Sequence, residues 1–347
     1  MSSTGCDEAL ARLLDEGRVR ATAIDPHHAA LWDALAAATE DGKRLRPRLV
    51  VATHDALGGS LPLVAAEVGA AVELLHTAFV IHDDVIDDDH LRRGRPNVSG
   101  TFRDAAHRGG AGPEAMGAYG LTAAILAGDL ALAAAVRAVA TCGAPPDVVH
   151  CLLDLFDVAL HTTASGELAD VRLTMAHHEV SLAESLAMEE QKTSAYSFSL
   201  PLQAGAVLAG AAEPVVARLG EAGRSMGLAF QLVDDLIGVF GDPARSGKST
   251  TSDLRAGKQT PLLVHARTTT EWEQVRPLVG RDLDDDDLAR VRELLTTSGS
   301  RAFVEDLAAE HLAAARSMVD EVGVPVELLD DLEASTSVLV GGREAAA

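Results

Sequence analysis

Leu74-Leu75-His76-Thr77-Ala78-Phe79-Val80-Ile81-His82-Asp83-Asp84-Val85-Ile86-Asp87-Asp88-Asp89 runs from an apolar stretch straight into a cluster of aspartates. Upstream of it, Ala66, Ala70, Leu74 and Ala78, and Val68, Val72, Leu75 and Phe79, recur at three- and four-residue steps, the period of an α-helix. A helix over 64–89 follows. Ala78 to Ile81 are apolar on every side, so this helix is expected to be buried together with its acidic end. Positions i, i+1 and i+4 fall within roughly 100° of one another, which points Asp83, Asp84 and Asp87 one way. Crowded carboxylates repel and are costly to desolvate. Divalent cations bridging them would remove that cost. Carboxylate oxygens suit magnesium, which keeps several waters and shares its shell with substrate phosphates. The alternative is an acidic helix end in solvent.

The same juxtaposition occurs again at Phe230-Gln231-Leu232-Val233-Asp234-Asp235-Leu236-Ile237-Gly238, paired aspartates on an otherwise apolar helix. If the two helices face each other, magnesium ions would hold a diphosphate between them. Elsewhere the helical period covers 31–40, 121–140, 146–164, 181–209, 214–241, 286–298 and 302–321, and no run alternates long enough for a strand. The fold class is therefore all-α, a bundle of about ten or more helices.

The 347 residues carry 29 Lys and Arg against 52 Asp and Glu, a formal net charge of −23. That balance excludes a nucleic-acid partner, which needs a basic face. It allows a phosphorylated substrate where cations gather locally or a metal reverses the sign of the pocket. Cations do gather, in two loops: Arg92, Arg93 and Arg95 after residue 90, and Arg245, Lys248, Arg255 and Lys258 between Gly241 and Pro261. Each loop directly follows an acidic helix end. Aromatic residues are only 3%, and Ala, Leu and Val fill most apolar positions, which favours closely packed helices. Cys6, Cys142 and Cys151, without zinc-site spacing, read as reduced thiols of a cytoplasmic protein. Met1–Asp15 has no apolar signal core. Leu126–Ala140 and Ser197–Val216 are broken by Asp129, Arg137, Pro201, Gln203 and Glu213, so no integral membrane segment is expected.

Other features carry less. Asp282–Asp287 opens a polar helix, where carboxylates complement the N-terminal dipole, and Asp330-Asp331 lies among polar neighbours. His27-His28 and His177-His178 lack the i, i+4 spacing of a helical ligand pair. Gly247-Lys248-Ser249 looks like the tail of a phosphate-binding loop, but that loop needs Gly at 242, where Asp stands, and a preceding strand.

Taken together and in order, Gly42-Lys43-Arg44-Leu45-Arg46-Pro47, Asp83–Asp87, Arg92-Arg93, Lys192-Thr193 followed by Tyr196, Phe198 and Pro201, Phe230-Gln231 with Asp234-Asp235, and the loop lysines Lys248 and Lys258 resemble the motifs of the trans-isoprenyl diphosphate synthases, the polyprenyl synthetase family, over roughly residues 40–262. The resemblance implies the isoprenoid-synthase fold around a deep central cavity, with 1–347 as a single domain and C-terminal helices over 263–340. Lys43, Arg46, His76 and Arg93 would bind isopentenyl diphosphate. Arg92, Lys192, Thr193, Gln231, Lys248 and Lys258 would bind the allylic diphosphate. Asp83, Asp87 and Asp234 would hold magnesium, three ions with substrate bound and manganese as a substitute, with Asp84, Asp235 and Lys192 in the same catalytic set. A homodimer is implied. One position departs from the pattern: the second motif ends in Gly238 where the family carries Asp. Asp234 would then make the direct metal contact, with Asp235 secondary and Asp242 as a candidate replacement.

The implied reaction breaks the allylic carbon–oxygen bond while metal and fixed cations neutralise the departing diphosphate. The isopentenyl double bond attacks the cation inside an apolar, water-free cavity, and the diphosphate takes the proton. A class I terpene cyclase shares the fold but needs Asn, Ser/Thr and Glu at four-residue steps after residue 231, and it leaves Lys43, Arg46 and His76 without purpose. A non-catalytic synthase subunit tends to lose the aspartates kept here. For product length, the growing tail would run down the helix that bears Asp83. Phe79, Ala78 and Leu75 then line the tunnel, each turn advancing roughly 5.4 Å. Family members with bulky residues at both 78 and 79 stop at farnesyl diphosphate. Ala78 leaves space here, giving geranylgeranyl diphosphate, with farnesyl or longer polyprenyl diphosphate as alternatives. The competing view makes Phe79 ordinary packing, with the tunnel floor on another helix.

Overall fold

The computed structural model describes residues 4–40, 42–175, 179–241 and 252–324. Its elements are α1 (Thr4–Ile24), α2 (Pro26–Ala38), α3 (Leu45–Ala56), α4 (Pro62–Ile86), the two-residue strands β1 (Leu91–Arg92) and β2 (Arg95–Pro96), α5 (Val98–Arg108), α6 (Pro113–Ala140), α7 (Pro146–Thr174), α8 (Leu182–Glu189), a π-helical stretch Glu190–Ser199, α9 (Leu200–Leu208), α10 (Glu213–Phe240), α11 (Ser252–Ala256), α12 (Pro261–Ala266), α13 (Trp272–Val275), a 3₁₀ turn Arg276–Leu278, α14 (Asp285–Thr297) and α15 (Ser300–Glu321). The all-α expectation holds. The chain forms two compact units, Met1–Phe156 with Pro201–Ala212, and Asp157–Leu200 with Glu213–Ala347.

The first unit is built on α4, which packs against α6, α3 and α1. Val68, Val72, Leu74, Leu75 and Ala78 on α4 are fully buried. Each buried Val or Leu contributes about 1.5–3 kcal/mol, so this helix anchors the unit. Facing it, Ala123, Ala127, Ala131 and Ala135 repeat every fourth residue of α6 and are buried. Their small side chains let two long helices lie close. Gly128 continues that logic: a Cβ there would stand 2.3 Å from Nε2 of His82. The α6 helix starts at Pro113, eight residues before the sequence signal at 121, because its first turns face outward with Tyr119 and Leu121 exposed. Both α4 and α6 are long and apolar enough, by length and composition, to cross a membrane. The apolar window of α4 is 72% buried against protein and that of α6 44%.

In the second unit α10 packs against the π-helical stretch and α15. Leu232, Leu236, Leu254, Leu262, Val291, Leu295, Val304 and Ala308 form its core. Gly223 and Gly227 on α10 admit the backbone of the π-helical stretch, since a Cβ at either would lie 2.4 Å from the Cα of Ser199 or Ser194. The helix expected over 181–209 is thus three segments, with its π-helical middle pressed onto glycines. Asp284 caps α14, its side chain accepting from the Asp287 amide at 2.8 Å, and Asp285, Asp286 and Asp287 fill the first turn. That cluster is a helix N-terminus, as its polar surroundings suggested. The three cysteines are free thiols.

Candidate active site

Each unit carries one of the two aspartate pairs. In the first unit, α4 stops at Ile86 and Asp87 caps it, its amide donating to the Asp83 carbonyl at 2.9 Å. Asp88 then turns left-handed at φ 55°. This early stop divides the expected three-carboxylate face. Asp87 is exposed and Asp83 half-buried, whereas Asp84 turns inward and is buried. Arg92 meets Asp84 there: Nη2 and Nε donate to Oδ1 at 2.7 and 3.0 Å, and Nη2 stands 3.5 Å from Oδ2 of Asp83. Burial pushes the Asp84 carboxyl up, and the Arg92 hydrogen bond and charge oppose the rise.

A tight hairpin, rather than the expected long loop, delivers Arg92. Arg92 pairs with Arg95 across the ladder, and Arg93 and Gly94 between them have φ of 52° and 74°. Two consecutive positive-φ residues are the signature of a two-residue hairpin turn whose twist matches its strands. Arg92 is turned back to α4, and Arg93 Nη1 donates to the Glu40 carbonyl at 3.1 Å.

His76, Phe79, Val80 and Asp83, at i, i+3, i+4 and i+7, are partly exposed, while Leu74, Leu75, Thr77, Ala78 and Ile81 between them are buried. One face of α4 is therefore open, and it carries an imidazole, a phenyl ring and a carboxylate in line. Burial, then the charges of Arg46, Arg92, Arg93 and Arg44, hold the His76 imidazole well below its ordinary value, so it is neutral. Arg46, His76 and Arg93, assigned from sequence to one diphosphate, share one electrostatic neighbourhood. Lys43 is adjacent to them in sequence.

Arg44 has a different task. Nε reaches Asp7 Oδ1 at 2.9 Å, and Nη1 reaches Glu73 Oε1 at 3.0 Å and the Thr39 carbonyl at 2.6 Å. It fixes the turn that presents Lys43 and Arg46. Arg44, Asp88 and Arg93 are the non-glycine residues with positive φ among those described. Such conformations cost of order 1–3 kcal/mol each, and all three lie in the basic or acidic motifs. Of the tunnel residues expected from sequence, Leu75 and Ala78 are fully buried and Phe79 stands on the open face.

In the second unit Thr193 and Gln231 do meet. Thr193 Oγ1 donates to Gln231 Oε1 at 3.0 Å, and Gln231 Nε2 donates to Asp235 Oδ1 at 3.2 Å. Asp235 is buried and its Oδ2 has no hydrogen-bond partner. Burial, then Glu189, Asp253 and Asp234, raise its carboxyl well above the usual range, against the Gln231 hydrogen bond. Lys192 Nζ bridges Glu167 Oε1 at 3.0 Å and Asp170 Oδ2 at 2.8 Å. Gly166 allows this approach, since a Cβ there would lie 2.2 Å from the Lys192 amide nitrogen. Burial, then the charge of Asp170, lifts buried Glu189 to about 8, with Lys192 and Lys258 pulling the other way.

Glu167, Asp170, Glu189 and Asp253 carry no signal in the motifs themselves. The i, i+3 carboxylates beside Gly166 on a helix, and Glu189 three residues before Lys192, were the available hints. Lys248, Asp242, His177, His178 and Asp330-Asp331 lie outside the described residues.

The donors fit magnesium. They are hard carboxylate oxygens in excess of nearby cations, one of them a buried oxygen with no partner. Among the described residues no three acidic, imidazole or thiol groups converge closely enough to cage an ion alone. Magnesium, which completes its shell with waters and phosphate oxygens, does not demand such a cage.

The polyprenyl synthetase family profile matches residues 29–296. The chain is 32% identical over 285 residues to geranylfarnesyl diphosphate synthase of Aeropyrum pernix, covering 81% of this chain and 84% of that protein. It is 35% identical over 292 residues to (2E,6E)-farnesyl diphosphate synthase of Mycobacterium tuberculosis, covering 82% and 75%. Geranylgeranyl pyrophosphate synthase from Corynebacterium glutamicum, solved in complex with isoprenyl diphosphate and magnesium, matches with a TM-score of 0.87 at 27% identity over 96% of this chain and 97% of that chain. With that length matched and that identity, this chain belongs to the polyprenyl synthetase family.

Proposed function

We propose that this prenyltransferase condenses isopentenyl diphosphate with an allylic diphosphate and releases geranylgeranyl diphosphate. The observation that carries the reading is the open face of α4, where neutral His76 with Arg46 and Arg93 lies beside the Asp83–Arg92 pair. That arrangement offers one cationic site for a diphosphate that stays intact and a separate carboxylate site for one that leaves. A cyclase, which binds a single diphosphate, has no use for the first.

Lys43, Arg46 and Arg93 hold the isopentenyl diphosphate by charge-assisted hydrogen bonds. Neutral His76 adds a directional hydrogen bond without a charge. Asp83 and Asp87 in the first unit, and Asp234 in the second, would hold magnesium, which when bound would neutralise the allylic diphosphate as its carbon–oxygen bond breaks. Arg92 in the first unit, and Lys192 and Lys258 in the second, are the cations assigned to the allylic diphosphate, whose charge would form against fixed cations rather than reorganising water. Thr193 and Gln231 orient Asp235. The whole chain, 1–347, acts as one synthase in this reading. Tyr119, Leu121, Ile125 and Leu126, exposed on α6, are the surface that a homodimer would cover.

Geranylgeranyl diphosphate is favoured because, of the fourth and fifth positions before Asp83, only Phe79 is bulky and Ala78 is small. Farnesyl diphosphate is the second reading, supported by the 35% identity to a farnesyl diphosphate synthase. The test is incubation of the purified chain with magnesium, isopentenyl diphosphate and each of dimethylallyl, geranyl and farnesyl diphosphates, followed by chromatography. A C20 product is expected, and Phe79→Ala should shift it longer. An unchanged product distribution in that variant would remove Phe79 from length control, and failure to elongate any of the three would refute the reaction.

A further inference from the structure

The helix α10 ends at Phe240, just past the second aspartate pair, and it ends on residues that hold a helix poorly. Ile237 and Val239 are β-branched, and Gly238 between them has the weakest helix preference of any residue but proline. In an α-helix the amides of Gly238 and Val239 donate to the carbonyls of Asp234 and Asp235. A turn that unwinds at 238 therefore releases the backbone of both aspartates. The last carbonyls of a helix have no amide ahead of them to accept from. They also give this end a partial negative charge, to which Asp234 and Asp235 add their own. Propensity, capping and charge all oppose order in the turn that follows the pair.

A guanidinium from a separate element supplies what the turn lacks. Arg292 on α14 donates from Nε to the Val239 carbonyl at 2.7 Å and from Nη2 to the Gly241 carbonyl at 3.0 Å. A planar fork bonded to two carbonyls fixes direction as well as distance, which one ammonium bond does not. The base of the fork is itself held. Val291 and Leu295, one residue before Arg292 and three after it, are fully buried in the same core as Leu236 and Val239. A second arginine grips the same turn: the Arg301 guanidinium on α15 lies 4.7 Å from the centre of the Phe240 ring, and its Nε donates to buried Glu305 at 2.8 Å. We infer that Arg292 is a positioning residue for the second aspartate pair, clamping the last turn of α10 so that Asp234 stays in place for its cation. Arg292 belongs to none of the motifs. Its role follows from where its fork lands, on the turn whose amides hold the aspartate backbone.

This inference rests on the metal reading given above, and the experiment separates the two. Amide hydrogen exchange of the full chain without metal reads the clamp. Manganese binding, followed by the loss of the free-ion electron paramagnetic resonance signal with inorganic diphosphate present, reads its consequence. Arg292→Ala should speed exchange at residues 238–241 by about tenfold or more, with residues 226–233 unchanged. It should weaken manganese binding on the order of tenfold and leave the KM for isopentenyl diphosphate at the parent value. Arg292→Lys, which keeps the charge but not the fork, should fall between parent and Arg292→Ala in both readouts. Arg281→Ala is the control for general destabilisation, because Arg281 bonds the Pro277 carbonyl and Asp287 rather than α10. It should lower Tm and leave manganese binding unchanged. Equal weakening in Arg281→Ala would overturn the inference, since lost stability alone would explain the effect. Faster exchange with unchanged manganese binding in Arg292→Ala would reduce Arg292 to a helix cap. Tighter manganese binding in that variant would overturn positioning in favour of simple charge repulsion. Unchanged binding in Asp234→Asn would overturn the metal reading itself and take this inference with it.

Discussion

The two aspartate pairs look alike in sequence but meet opposite electrostatic solutions. Asp84, at the end of α4, is buried against the Arg92 guanidinium, with charge-assisted bonds of 2.7 and 3.0 Å. Asp235, towards the end of α10, is buried against an amide, and its second oxygen has no partner. Lys192, a cation of the same unit, is shared between Glu167 and Asp170. The first pair therefore carries its compensating charge within the fold. At the second, burial and the neighbouring carboxylates raise the Asp235 carboxyl well above its ordinary range, and positive charge from outside would oppose that rise. The difference arises from the chain beyond each helix. A two-residue turn folds Arg92 straight back onto α4, whereas α10 leads into residues 242–251 and only then to Asp253 and Lys258.

If the second cluster is the one that needs an external cation, removing its leading ligand should produce the largest effect. Asp234→Ala is expected to lower kcat on the order of 10³-fold or more, because charge on the leaving diphosphate is no longer matched as it develops. Steady-state turnover at saturating magnesium measures this. A loss under tenfold would mean that the two clusters are not both metal-bearing.

A smaller and more selective effect is expected on the first unit, where Arg46 shares the His76 neighbourhood. Arg46→Ala should raise the KM for isopentenyl diphosphate by the equivalent of one charge-assisted bond, about 1.5–3 kcal/mol, or roughly 10–100-fold. The KM for the allylic substrate should stay nearly unchanged. A mainly allylic defect would exchange the roles assigned to the two diphosphate sites.

The same contrast explains how much was legible in sequence. Helices with strongly apolar faces, α4, α6, α7 and α10, are visible because their period is set by core contacts. The polar helix α1 is not: charged residues such as Asp7, Arg12 and Arg18 surround a narrow buried stripe of Leu10, Leu14 and Ala21. Short α11 to α13 are fixed by tertiary packing of single residues such as Leu254, which no local period reports. In the site, motif residues are legible because spacing along one helix is spacing on one face. Glu167, Asp170, Glu189 and Asp253 belong to other elements of the second unit, and nothing in the sequence near Asp234 signals them. The hairpin at Arg92 reads as a loop because its turn uses Arg93 at positive φ, a residue with no turn signature of its own.

The most delicate effect should appear in the pH dependence of stability, which the second cluster should dominate. Glu189 has its carboxyl raised to about 8 by burial and by Asp170. A carboxyl raised in the folded state keeps a proton that the unfolded chain has released, so its contribution is fully present below the unfolded value near 4.5 and is lost as pH rises through about 8. The metal-free protein should accordingly lose stability across that window. Glu189→Gln mimics the protonated acid at every pH. It should leave Tm nearly unchanged at pH 5 and raise it by roughly a few degrees at pH 8.5, flattening the slope without abolishing it, because Asp235 is shifted in the same direction. The Asp84 carboxyl is shifted in the same direction, so Asp84→Asn acts through pairing instead: it strips the charge from a bond that Arg92 already makes, leaving a part-buried guanidinium weakly paired, and Tm should fall at pH 8.5. Thermal melts of the three proteins in chelator at pH 5 and pH 8.5 decide the matter. Parallel slopes for the parent and Glu189→Gln would mean that Glu189 is ionised at neutral pH, and the second cluster would then be compensated by a cation already in the fold, like the first.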